Sequence, residues 1–147
     1  MSSLARNFVQ ILLAATALSM STFSWGESQF IDIFPKNESD IHFVLEAVEE
    51  RLQSPSAEIP PPIILMLHGP EAQRFLKSHY QENRTLVDRA AKLSGYGLLD
   101  VKICQTWLNM NEYGETELFP FVSPVPFGMD ELERLEEEGY TEFSVNL

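Results

Sequence analysis

The chain has 147 residues, 44% of them hydrophobic, which is enough apolar side chain for one packed domain and too much for a disordered one. Its formal net charge of -12 removes the counterion-release term on which nucleic-acid binding depends and repels anionic lipid. A single cysteine, Cys104, leaves no partner for an intramolecular disulfide.

Residues 1–26 have the layout of a signal peptide. Arg6 is the only charge before an apolar stretch of 11 residues, Phe8 to Leu18, whereas a membrane span needs about 20. Ser24 and Gly26 supply the small residues for cleavage after Gly26, and cleavage after Ser24 fits nearly as well. The expected product is a domain of residues 27–147, periplasmic or secreted, free of the membrane once the signal is removed. The other reading of this segment is an uncleaved amphipathic or tethering N-terminus. Removal takes away Arg6 and no acid, so nine basic residues would face 22 acidic ones, a formal charge of -13.

Gln29 to Phe34 alternates apolar Phe30, Ile31 and Ile33 with Asp32 and stops at Pro35, as a first strand would. Ile41, Val44, Leu45, Val48 and Leu52 then recur at steps of three and four, behind the capping residues Asn37 and Ser39, and predict a helix. A proline-rich connector, Ser54 to Pro62, leads into Ile63 to Leu67. Five consecutive apolar residues suit a strand covered on both faces, the situation of a parallel sheet. Pro70 is well placed in the first turn of a short helix that turns Ala72, Phe75 and Leu76 to the sheet. Glu82 to Ser94 reads as another helix, with Leu86, Val87, Ala90 and Ala91 on one side and Gly95 as its stop.

Leu98 to Cys104 is a third strand that ends on the cysteine. The stretch to Leu118 has no clear period, although Glu115 to Leu118 suits one helical turn. Phe121 to Val125 predicts a short fourth strand at a sheet edge, because Pro124 interrupts it. A helix opens at Gly128 with Met129, Leu132 and Leu135 inward, and Gly139 caps it after the acidic run Glu136 to Glu138. Tyr140 to Val145 alternates as a last strand. Strand and helix in turn predict an α/β sandwich around a mainly parallel five-stranded sheet.

The segments LMLHGP at Leu65 to Pro70, VKICQTWLNM at Val101 to Met110, LFPFVSPVPFG at Leu118 to Gly128 and EEEGYTEFSVN at Glu136 to Asn146 together resemble the DsrE/DsrF-like, or YchN-like, family, in its exported branch. The resemblance spans nearly all of residues 27–147. It implies a three-layer α/β/α fold with a five-stranded parallel sheet and assembly into trimers or hexamers. It also implies that a cysteine at a strand end carries a persulfide, a place that Cys104 occupies. In that strand order the second and third strands are neighbours, which puts His68 and Cys104 at one edge of the sheet. Gln105-Thr106-Trp107 is bulkier than the small residues expected after such a cysteine.

The expected site is therefore Cys104 as the reacting thiol, with His68, Gly69 and Gln105 binding a small anionic sulfur species. An adjacent imidazolium or helix N-terminus favours the reactive thiolate. The alternative is a non-catalytic, homo-oligomeric small-ligand-binding or scaffold protein in which Cys104 is a small buried hydrophobe. No cofactor is expected: there is no GxxxxGK phosphate loop, and His42 and His79 have no ligand spacing to His68 or Cys104 that would make a metal site. Trp107, Leu108, Met110, Tyr113, Phe119, Phe121 and Phe127 crowd one segment and suggest either a subunit contact or core beneath a long connection. Asn37-Glu38-Ser39 and Asn83-Arg84-Thr85 match the glycosylation acceptor pattern, which matters only in a eukaryotic secretory route.

Overall fold

The computed structural model describes residues 28–33, 39–52 and 62–142. The expected signal peptide, the connector up to Pro61, the Asn37 cap and the second half of the last predicted strand lie outside them. Five strands, β1 (Gln29–Ile33), β2 (Ile63–Leu67), β3 (Leu99–Cys104), β4 (Val122–Val125) and β5 (Thr141–Glu142), form one sheet in the order β4-β3-β2-β1-β5. Every pairing is parallel. Four α-helices, α1 (Ser39–Leu52), α2 (Tyr80–Gly95), α3 (Gln105–Met110) and α4 (Gly128–Glu137), complete a three-layer α/β/α sandwich. Among the described residues no helix is long and apolar enough to cross a membrane.

Burial follows from position in the sheet. All five residues of central β2 are buried, as its unbroken apolar run requires. In β3 the apolar Leu99, Val101 and Ile103 face one layer, while Asp100, Lys102 and Cys104 face the other. The first layer is the larger. It packs Ile41, Val44, Leu45 and Val48 of α1, Leu86, Ala90 and Leu93 of α2, and Ala72, Phe75 and Leu76 after β2 into one cluster with the sheet. Across the sheet, α4 seats Leu132 and Leu135 on Phe30, Ile64, Met66 and Val125. Right-handed crossovers explain this division: the chain steps from β1 to β4 in one direction, then returns through α4 to β5, so α4 falls on the opposite face.

Several expectations shift by one or two residues. The segment after Pro70 is a 3-10 helix, Pro70–Phe75, and α2 begins at Tyr80, with Asn83 in a non-helical conformation near its start. Gly95 lies inside α2, and the turn residue is Gly97, at φ 72°. There the Gly97 N–H donates to the Ser94 carbonyl and the Leu98 N–H to Leu93, the bonds of a Schellman cap; Gly139, at φ 88°, closes α4 in the same way. Met129 does not face inward. It is 49% exposed, because the buried stripe of α4 runs through Gly128, Leu132 and Leu135. Pro124 does lie on an edge strand, opposite Ile103.

The aromatic segment is largely absorbed by its own chain. Trp107 stacks on Tyr113 and Phe119 on Phe121, and all four pack against the first cluster. Met110 and Phe127 remain exposed.

A charge network closes one end of the second layer. Glu131 bonds Arg134 and stands 3.5 Å from Lys102 of β3, and Arg134 also pairs with Glu138. The Arg134 hydrogen bond, then the Lys102 charge, hold the Glu131 carboxyl below its ordinary value although burial opposes them. A lowered carboxyl contributes stability above its unfolded value, near 4.5, and loses it as the pH falls through the folded value. Urea midpoints measured against pH are therefore expected to show wild type more stable than Glu131→Gln at neutral pH, with the gap closing below about pH 4. A gap that stays constant into acid contradicts this.

Candidate functional site

The carboxyl ends of β2 and β3 lie side by side, with Leu67 opposite Ile103, so that His68 and Cys104 leave the sheet together. Ligands of open parallel sheets bind at such an edge. Strand alternation turns the Cys104 side chain toward α4, where it is 3% exposed. The N–H of Gly128, the first residue of α4, donates to Cys104 Sγ at 3.4 Å. Sulfur therefore meets the positive end of a ten-residue helix, and any negative charge that develops on it meets a fixed amide dipole. Thr106 Oγ1 donates to the Pro126 carbonyl at 2.9 Å and ties the start of α3 to the loop that delivers Gly128.

Gly128 is required by space. A Cβ there would lie 2.8 Å from His68 Cβ and 3.5 Å from Cys104 Cβ, so the glycine lets the histidine, the helix start and the cysteine meet. His68 and Cys104 are thus brought together as expected. Gly69 is near them, but its N–H donates to Glu71 Oε1 at 2.6 Å rather than facing a ligand. Gln105 begins α3; its Nε2 donates to Asn109 Oδ1 at 3.1 Å, and its Oε1 is buried with no hydrogen-bond partner.

Two residues of this arrangement, Gly128 and Glu71, were not anticipated. Glu71 is 3% exposed, and its Oε1 accepts the N–H of His68 at 2.8 Å as well as that of Gly69. The only sequence signal is an acid directly after Gly-Pro in a helix's first turn, which ordinarily marks a complement to the helix dipole. His79 belongs to a separate cluster. Its Nε2 is 3.0 Å from Gln73 Nε2, which also donates to Tyr113 Oη, and its Nδ1 is 3.8 Å from Glu82.

No family model matches the chain, and no curated protein matches it. Among solved structures the chain is similar to the protein of unknown function MTH1491 from Methanobacterium thermoautotrophicum, at a TM-score of 0.59 and 17% sequence identity, over 79% of this chain and 95% of that one. At that identity the likeness is one of fold.

Proposed function

We propose that the protein is an exported sulfur-handling protein in which Cys104 accepts and carries a sulfur atom. The observation that carries this reading is the position of Sγ: at the end of a central parallel strand, bonded by the Gly128 N–H and packed beside His68. In the step proposed, the Cys104 thiolate attacks the outer sulfur of a persulfide donor, R–S–SH. A new S–S bond forms as the donor's S–S bond breaks, R–S⁻ leaves with the electron pair, and Cys104–S–SH keeps the outer sulfur's proton. The Gly128 N–H keeps the attacking atom oriented, and burial shields the product from competing thiols. Gln105, with its unpartnered Oε1, borders the same strand end and offers an acceptor to a small ligand.

Cyanide tests the reading chemically. It attacks the outer sulfur of a persulfide and leaves as thiocyanate, returning the cysteine thiolate. Protein incubated with a persulfide donor and desalted is expected to release about one thiocyanate per chain, and Cys104→Ser none. Equal release from both proteins contradicts the proposal. Burial of Cys104 to 3% favours a second reading, a non-catalytic homo-oligomeric small-ligand-binding or scaffold protein of the same fold, in which no thiocyanate appears.

Arg6 with its apolar stretch supports export, to a periplasm or beyond the cell. The exposed Met110 and Phe127 support a homo-oligomer, with a trimer or hexamer suggested by the family resemblance. Light scattering on the reduced protein is expected to give an oligomer that persists in Cys104→Ser and weakens in Phe127→Asp; a monomer at micromolar concentration contradicts it.

A further inference from the structure

Burying a carboxylate is costly unless hydrogen bonds meet its charge, and Glu71 is the one buried charged residue among those described. Its Oε1 collects the N–H groups of both His68 and Gly69, and bonds to an ionised acceptor are stronger than neutral ones. Its Oε2 takes the space a side chain at position 69 would need: a Cβ on Gly69 would lie 2.6 Å from it. The glycine therefore admits the carboxylate to the turn. Glu71 is in turn anchored by Ala72 and Phe75, both 0% exposed in the main core. At the other end of this chain of contacts, His68 leans on the α-carbon of Gly128, whose N–H holds Cys104 Sγ.

We propose that Glu71 is a positioning residue for Cys104: its carboxylate clamps the His68–Gly69 turn against Gly128, and release of that turn is the movement that opens the thiol to a reagent. This takes from the preceding reading that Cys104 is the reacting atom and does not depend on sulfur as its cargo. Because the clamp consists of two backbone bonds to one oxygen, a glutamine, whose carbonyl oxygen accepts the same bonds, replaces it in large part. Alanine does not.

The test is the rate at which iodoacetamide alkylates Cys104 in the native full chain, followed by intact mass, together with amide hydrogen exchange. In Glu71→Ala the rate is expected to rise about tenfold or more. Exchange at the His68 and Gly69 amides should quicken, while Leu65 and Ile103 in the central strands keep wild-type protection. Glu71→Gln should stay within about threefold of wild type. A general loss of stability would instead release Leu65 and Ile103 as well, and glutamine would not rescue the rate selectively. Wild-type alkylation in a folded Glu71→Ala, or exchange rising equally at all four amides, overturns the proposal. If Glu71→Ala does not fold, Glu71→Asp, one methylene short of the two amides, carries the same expectations. The two readings separate cleanly: faster alkylation without thiocyanate release defeats sulfur handling alone, and thiocyanate release with unchanged alkylation defeats the clamp alone.

Discussion

Phe75→Ala is expected to lower the stability of the domain by about 3–5 kcal/mol, the usual loss when a buried aromatic is truncated and its cavity does not collapse. Phe75 ends the 3-10 helix that follows β2 and is 0% exposed in the main cluster. The cluster it belongs to joins residues of the sheet, α1 and α2, and the 3-10 helix itself packs against α2, so the hole would open inside a core fixed by several elements. Against a total stability of about 5–15 kcal/mol the effect is large enough to read directly from a denaturant midpoint. Met129→Ala provides the contrast. Because Met129 is half exposed, its truncation should change stability by about 0.5 kcal/mol or less. Equal losses in the two variants would mean that the buried stripe of α4 and the core beneath the 3-10 helix have been assigned wrongly.

Gly128→Ala is expected to destabilise by about 1–3 kcal/mol, the range for forcing a methyl into packed space. The added Cβ would lie 2.8 Å from His68 Cβ, an atom fixed next to its own main chain and unable to swing away as the tip of a long side chain could. Either His68 and its turn shift or α4 lifts from the sheet. Each loosens the Gly128 N–H to Cys104 Sγ bond, so alkylation of Cys104 should accelerate in the same variant. Gly95→Ala is the control with the opposite sign. Gly95 is in the last turn of α2 with nothing within 4 Å of the Cβ position, so alanine there should stabilise by about 0.5–1 kcal/mol. One substitution with two signs tests the geometry more sharply than either alone, and a stabilising Gly128→Ala contradicts the close approach.

What was legible in the chain was what depends on neighbours in sequence. The five apolar residues of β2 announced a strand buried on both faces, Pro124 an edge strand, and Gly139 the end of α4. Period and composition suffice for these. The expected inward Met129 failed for a different reason: a stripe through 129, 132 and 135 has nearly the same period as one through 128, 132 and 135, and the two share all but their first residue. Only the contact of Gly128 with His68, 60 residues earlier in the chain, chooses between them. Likewise the aromatic run from Trp107 to Phe121 could not announce whether it covers its own core or a partner, because stacking of Trp107 on Tyr113 depends on how the chain turns between them. In the site, Cys104 and His68 were visible as strand ends. Glu71 was not, since an acid in a first turn looks the same whether it faces solvent or folds back onto the two preceding amides.

The most direct measurement of the central claim, that Cys104 is the atom that takes up sulfur, is intact mass spectrometry of the native protein after incubation with a persulfide donor. Wild type is expected to gain about 32 Da, one sulfur atom, to lose it on reduction, and to gain nothing in Cys104→Ser. A native chain that stays at its unmodified mass, and gains sulfur only after it is unfolded, would contradict the account.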